Sequence, residues 1–358
     1  MSVQSSPCLL LYCRIGFEKE CAQDITLAAE DLGVAGWCKA SPDSGFVMFH
    51  PAQSGDMTTL RKKLRFEDLT FARQLIFALG PLPLPPENRL PPLIEAAKSL
   101  HGPFGQIWLE TADTNEAKEL SSFCRKFEPH LNKALSQAGL LKPDALKMPR
   151  LHVFFLDSST AWAGTSQPGN SSNWTMGIPR LRMPREAPSR STLKLAEALL
   201  EMLSGQEREQ LRPGRRAVDL GASPGGWTWQ LTQRGMKVMA VDNGPMDPAL
   251  MEAGLVEHLR ADGFTFRPRH PVDWLVCDMV DKPARVVDLV ARWFERGDCR
   301  AALFNLKLPM KRRFEEVQLA RSVLEGRIAR VGGNWRIQMR QLYHDREEIT
   351  CLIVRKNS

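Results

Sequence analysis

The 358-residue chain offers little to a metal ion. Its eight cysteines include no Cys-x-x-Cys pair, and its seven histidines include no His-x-x-x-His. Zinc-type sites need ligands at such spacings, so no metal is expected. Cys8, Cys13, Cys21 and Cys38 cluster early with no histidine at a matching distance. They read as reduced thiols of a cytoplasmic protein. Apolar runs stay short of the roughly 20 residues that cross a membrane. The first residues lack a secretory signal's basic start and cleavage site, so no membrane association is expected. The main glycine cluster does not fit Gly-x-Gly-x-x-Gly, which disfavours a dinucleotide, and no Gly-Lys-Ser/Thr follows it, which excludes a P-loop.

What is present has the balance of a globular protein: 43% hydrophobic residues, 25% charged residues and a formal net charge of +7. The length suits two or three domains with ample core. The positive charge suits a polyanion partner, although a generic basic surface would give the same number.

The glycine cluster lies in residues 217–227, Ala-Val-Asp-Leu-Gly-Ala-Ser-Pro-Gly-Gly-Trp. An apolar run over 217–220 ends in a turn with Gly221, Ser223, Pro224, Gly225 and Gly226, and helical spacing begins at Trp227. A strand, a glycine turn and a helix start make an entry to a nucleotide-type cofactor site, because glycine lets backbone approach a ligand. Asp-Leu-Gly-x-x-Pro-Gly-Gly-Trp resembles the first motif of S-adenosylmethionine-dependent ribose 2′-O-methyltransferases of the FtsJ/RrmJ type. The resemblance implies S-adenosylmethionine as the cofactor. Met-Gly-Ile-Pro-Arg-Leu-Arg over 176–182 and Ala-Pro-Ser-Arg-Ser-Thr-Leu-Lys over 187–194 extend it to the RlmM family. Those bacterial enzymes methylate a cytidine ribose in 23S ribosomal RNA, the large-subunit RNA. The resemblance spans essentially the whole chain, is strongest from residue 174 onward, and implies RNA not yet assembled into a subunit.

Four segments are expected. Residues 1–80 read as a small ferredoxin-like α+β unit with strands at 9–13, 36–39, 45–49 and 71–77 and a helix over 17–32. The prolines of 80–86 and Pro91-Pro92 break regular structure, which places a boundary there. Residues 81–165, with a helix at 93–100, a strand at 106–110, a long helix over 115–138 and a hairpin at 150–165, resemble a THUMP-type RNA-binding domain. Residues 166–188 read as a linker that is also a basic stripe, since Arg180, Arg182, Arg185 and Arg190 suit phosphate oxygens. Residues 189–358 alternate strands and helices, an α/β Rossmann-like methyltransferase domain with a mostly parallel seven-stranded sheet. A helix over 191–204 is expected to be capped by Ser189 or Ser191 and ended by Gly205. A monomer is the expected state.

In such sheets ligands bind outside the carboxyl ends of the strands. Asp242 ends the second strand, 237–242, and fits the two hydroxyls of an adenosyl ribose, because a carboxylate can accept from both. Asp262 follows the third strand, 255–261, within reach of the adenine. Asp278 ends the fourth, 272–278, and Lys307 the fifth, 301–307. With Ser189, the turn residues and Trp227, the three acids make the candidate cofactor site. The resemblance also implies a Lys-Asp-Lys-Glu tetrad, matched in order by Lys194, Asp278, Lys307 and Glu348, with Glu347 left open as the fourth member. Lys307 is the expected general base for the ribose hydroxyl, and Lys194 would lower its pKa by repulsion. Lys194 lies in the first turn of its helix, where a cation gains nothing from the helix dipole, so a site would explain its position.

Two other activities compete. Methylation of a base amino group usually shows Asn/Asp-Pro-Pro-aromatic, which Asp278-Met-Val-Asp281 does not match. A non-catalytic RNA-binding assembly factor would not need Lys194, Asp278 and Lys307 together.

Overall fold

The computed structural model describes residues 7–115, 117–143 and 145–356. The chain forms two compact units, divided between Pro179 and Arg180.

The first unit holds strands β1 (Cys8–Tyr12), β2 (Gly36–Ala40), β3 (Phe46–Pro51), β4 (Gln74–Pro83), β5 (Gln106–Thr111), β6 (Arg150–Asp157) and β7 (Thr160–Ser166). Its helices are α1 (Glu18–Glu30), α2 (Asp56–Lys63), α3 (Leu90–Ser99) and α4 (Lys118–Gln137). The strands form a single sheet in the order β2-β3-β1-β4-β7-β6-β5. β1, Cys-Leu-Leu-Leu-Tyr, is buried throughout because β3 and β4 pair with it on both sides. The prolines after Gly80 do not break the sheet as expected. β4 runs on to Pro83 with an irregularity between Leu79 and Leu82, which accommodates residues that cannot donate to a ladder. Pro91 and Pro92 open α3, where the first N–H groups have no helical partner to lose.

Of the stretch 166–188, residues up to Pro179 belong to this unit. Side chains from three strands hold it. Gln74 accepts from the Ser172 N–H at 3.0 Å, and Arg150 donates to the Ser172 carbonyl at 3.0 Å and to Asn173 at 2.9 Å. Buried Glu110 accepts from the Met176 N–H at 2.5 Å, from the Tyr12 hydroxyl at 2.7 Å, and lies 2.7 Å from His152 Nδ1.

The second unit carries β8 (Arg216–Leu220), β9 (Lys237–Val241), β10 (Val256–Leu259), β11 (Val272–Cys277), β12 (Cys299–Lys307), β13 (Trp335–Arg340) and β14 (Glu348–Arg355). Its helices are α5 (Thr192–Glu201), α6 (Gly205–Glu209), α7 (Gly226–Thr232), α8 (Pro248–Glu252), α9 (Pro283–Glu295) and α10 (Arg313–Val331). The sheet order is β10-β9-β8-β11-β12-β14-β13. Pairing is parallel from β10 to β12, and β14 inserts antiparallel between β12 and β13. After Asp273, which pairs with Arg215, the β11 run Trp-Leu-Val-Cys is apolar on both faces, as a strand covered by helices must be. α9 buries Val286, Val287, Leu289, Val290, Trp293 and Phe294. Each aliphatic side chain so buried stabilises by about 1.5–3 kcal/mol before the entropic cost. The order reverses at β8, whose chain neighbours lie on one side and β11 on the other, so a crevice opens at the carboxyl ends of β8 and β11. Gly205 does not end α5. It starts α6, whose cap is a reciprocal pair: Ser204 accepts from the Glu207 N–H and Glu207 accepts from the Ser204 N–H.

Glu110→Leu should destabilise the first unit by about 3–5 kcal/mol, since it strands buried donors on Tyr12 and Met176. Thermal denaturation checks this. A wild-type melting profile would show that Glu110 does not hold the stretch around Met176.

Candidate active site

α5 and α7 begin side by side. Ser191 occupies the position before α5, yet neither it nor Ser189 caps the helix through a side chain; their hydroxyls lie 2.7 Å from each other. The expected capping role is therefore not what they do. Both hydroxyls sit over Gly226, where a Cβ would lie 2.2 Å from Ser191 Oγ and 2.4 Å from Ser189 Oγ. Gly226 thus lets the start of α5, and with it Lys194, approach the glycine turn. Gly225 has φ +121°, a conformation L side chains rarely adopt. At Gly221 a Cβ would lie 2.7 Å from Met279 Cγ, and at Gly263 one would lie 2.8 Å from Met279 Sδ. Met279 therefore occupies the crevice between the ends of β8 and β11, a residue that the strand-end acids gave no hint of.

The carboxylate of Asp242 is partly exposed just past β9 and braces the turn. One oxygen accepts from the Ser223 N–H at 3.0 Å, the other from the Gly244 N–H at 2.7 Å. Lone pairs remain for a ligand hydroxyl. The Ser223 hydroxyl donates to the Pro245 carbonyl, and Pro224 is exposed. Asp262 is exposed three residues beyond β10, with one oxygen on the Phe264 N–H at 2.9 Å. Trp227 is different from expectation: its indole lies in the hydrophobic core beside Leu195 and Leu231, 2% exposed, so its side chain does not line an open site. Asp219, at 0% exposure beneath the turn, accepts from Thr228 at 2.6 Å, and burial pushes its carboxyl up to about 7.

The four tetrad candidates meet. Lys307 Nζ lies 2.7 Å from Asp278 Oδ1 and also contacts Glu348 Oε2. Lys194 Nζ lies 3.2 Å from Asp278 Oδ2 and 2.5 Å from Glu348 Oε1. Two cations and two carboxylates alternate in a closed ring. Three strands and a helix bring them together: Asp278 follows β11, Lys307 ends β12, Glu348 starts β14 directly opposite Lys307, and Lys194 lies in the first turn of α5. Glu347 points away to Arg313 at 2.7 Å, so Glu348 is the fourth member.

The charge balance corrects one expectation. Burial alone would lower the Lys307 pKa, but Asp278 and Glu348 outweigh burial and hold it well above the usual lysine value, so the lowering expected from Lys194 does not prevail. Burial would likewise raise Glu348, but Lys307 and Lys194 hold its carboxyl below the usual range. A carboxyl held low stabilises the fold above its unfolded pKa and loses that as pH falls through its folded pKa. An ammonium held high stabilises below its unfolded pKa and loses that as pH rises through its folded pKa. The Lys307–Glu348 pair is therefore ionised across neutral pH.

A further layer lies beneath the ring. Asn305, two residues before Lys307 and on the same face of β12, donates to Asp278 Oδ1 at 3.3 Å. Its amide oxygen accepts from Thr350 at 2.9 Å. An Asn inside the apolar run Ala-Ala-Leu-Phe-Asn-Leu-Lys was the available signal. Glu197, one turn after Lys194, is buried and accepts from the backbone N–H groups of Tyr343 and His344, both at 2.8 Å, so α5 also anchors the β13–β14 connection.

The backbone turn and the free lone pairs of Asp242 fit an adenosyl group. Asp242→Ala should weaken S-adenosylmethionine binding by about 1.5–3 kcal/mol, the worth of hydrogen bonds to a charged acceptor. Titration calorimetry reads it, and unchanged affinity in a folded variant would remove Asp242 from the cofactor site.

Comparison with known proteins identifies the family along three stretches of the chain. Residues 6–76 match the model of the RlmM ferredoxin-like domain, and 88–167 that of the N-terminal region of ribosomal RNA large subunit methyltransferase M. Residues 187–356 match the FtsJ-like methyltransferase model. Curated relatives named "Ribosomal RNA large subunit methyltransferase M" include that of Methylococcus capsulatus, 54% identical over 96% of this chain and 96% of the relative. That of Tolumonas auensis is 51% identical over 96% and 94%, and that of Thauera aminoaromatica 48% over 97% and 96%. At half identity along nearly its full length, the chain belongs to the ribosomal RNA large subunit methyltransferase M family, with a C-terminal FtsJ-like domain.

Proposed function

We propose that the protein is an S-adenosylmethionine-dependent methyltransferase that modifies the 2′-hydroxyl of a cytidine ribose in 23S ribosomal RNA, in the cytoplasm and before subunit assembly. The observation that carries the reading is the position of Lys307. Its ammonium stands between Asp278 and Glu348 at the carboxyl edge of the sheet, beside the glycine turn braced by Asp242. The ribosomal substrate is supported by the names of the relatives, and the cytidine by the family resemblance. The placement of Asp242 and Asp278 just past β9 and β11, with Asp262 in the turn after β10, supports S-adenosylmethionine as cofactor. The exposed Arg180, Arg182, Arg185 and Arg190 support a role for the stretch around residue 180 in holding RNA phosphates, and the THUMP-like pattern supports RNA binding by the first unit.

A bound S-adenosylmethionine supplies an electrophilic methyl on a positive sulfur. The chain's residues prepare the hydroxyl for it. Asp278 and Glu348 fix the Lys307 Nζ in one place, and Lys194 neutralises the second carboxylate of the pair. In the free chain Lys307 is an ammonium. Exclusion of water from Lys307 by a bound substrate would lower its pKa, since desolvation disfavours an ammonium. In that state Lys307 takes up the 2′-hydroxyl proton as general base.

Base methylation fits less well. A C5 mechanism needs a thiolate, whereas burial pushes the Cys277 thiol up to about 12 and leaves it at 0% exposure. A non-catalytic assembly factor would have no need to keep an ion-paired ring of four at the strand ends.

Lys307→Ala should leave S-adenosylmethionine affinity nearly intact and slow single-turnover methyl transfer by about 10²–10⁴-fold, the usual loss on removing a general base. Lys307→Arg should fail as well, since a guanidinium cannot accept the proton. If Lys307→Arg reacts at the wild-type rate, Lys307 only positions the ribose.

A further inference from the structure

The hydrogen bonds beneath the tetrad cannot all form unless one acid carries a proton. Asp278 bonds both lysines, so it is a carboxylate and an acceptor only. Asn305 must therefore turn its amide nitrogen toward Asp278, as it does at 3.3 Å, and its oxygen toward Thr350. That oxygen needs a donor, and among the described residues the Thr350 hydroxyl, 2.9 Å away, supplies it with its single hydrogen. The same hydroxyl lies 3.0 Å from Asp345 Oδ2 and 3.2 Å from Oδ1. With its hydrogen committed to Asn305, Thr350 presents only lone pairs to Asp345. An ionised carboxylate there would face them with no donor between.

All three residues have 0% exposure, so no bulk water relieves the conflict. Asp345 Oδ2 already accepts from the Leu342 N–H at 3.0 Å, which leaves Oδ1 to carry a proton. Two carboxylates near Asp345 favour the neutral acid, while Arg340, buried on β13 opposite Thr350, is the cation on that face. Glu197 faces it from α5 and Glu348 from β14, both negative. His344 beside it is turned to Glu197, with Nδ1 at 2.6 Å, and Cys351 is a buried thiol that burial holds protonated. Burial and these carboxylates push the Asp345 carboxyl well above its ordinary value, in agreement with the donor count.

We infer that Asp345 is held as a neutral carboxylic acid and is a positioning residue for the tetrad. It heads a one-directional relay: Asp345 donates to Thr350, Thr350 to Asn305, and Asn305 to Asp278 Oδ1, the oxygen that also holds Lys307. The relay keeps a donor on that oxygen while Lys307 exchanges its own proton. The kinetic part of this inference rests on the methyl-transfer reading; the protonation state does not.

The test uses the full chain. The amide of Asp345→Asn imitates a neutral acid, with one donor for Thr350 and one acceptor for Leu342. Infrared difference spectra of wild type against Asp345→Asn at neutral pH should contain the C=O stretch of an un-ionised carboxylic acid, lost in the variant. Single-turnover transfer should slow about five- to tenfold or more in Asp345→Ala, the size of one lost hydrogen bond, and recover most of that in Asp345→Asn. If Asp345→Ala does not fold, Thr350→Val carries the same test, with Thr350→Ser as the rescue. No acid band, or an Asp345→Asn as slow as the alanine variant, overturns the proposal. If wild type transfers no methyl to RNA at all, the reading of the site fails, while the band still decides the state of Asp345.

Discussion

The second unit depends on the antiparallel entry of β14 beside β12. That pairing sets Lys307 opposite Glu348 and Asn305 opposite Thr350 on one face. A slip of β14 by one residue would turn Glu348 and Thr350 to the face opposite Lys307 and Asn305. Parallel pairing on the other side of β12 brings the end of β11, and so Asp278, within reach of the same lysine. α5 completes the ring with Lys194 and fixes the β13–β14 connection with Glu197. Two lysines and two carboxylates in alternation cancel one another's charge. They can therefore be largely removed from water at a cost that a lone ammonium there could not bear.

The same ring explains why the free chain does not hold a ready base. Carboxylates that keep Lys307 in place also keep its proton on. Placement and basicity therefore oppose each other at Lys307, and in the proposed reaction the base would have to be completed by its substrates. Buried Asp219 lies beneath the glycine turn, and Asp345 lies beneath the tetrad. Both are pushed up by burial.

Much of the second unit was legible in the sequence because its strands end on the residues that matter. The apolar runs before Asp242, Asp278 and Lys307 fixed the strand ends, and position at those ends is itself the functional signal. Gly205 misled, because a glycine after a helix is as compatible with a new start as with a stop; Ser204 and Glu207 carried the distinguishing pattern. In the first unit the prolines after Gly80 suggested a break. A bulge lets a strand pass through prolines, and spacing alone does not reveal a bulge. Trp227 was placed by its neighbours in the motif, yet its side chain follows the burial of α7 into the core. The direction of the Lys307 shift was not legible at all. It depends on distances among four charges contributed by residues 154 positions apart, Lys194 to Glu348.

A lysine that serves a 2′-hydroxyl sends the methyl group to a ribose oxygen and not to a base. Nucleoside mass spectrometry of unmodified 23S ribosomal RNA, after incubation with the protein and methyl-labelled S-adenosylmethionine, separates the two. Label is expected in 2′-O-methylcytidine, on the sugar fragment and at a single position. Label on the base fragment of any nucleotide would contradict this.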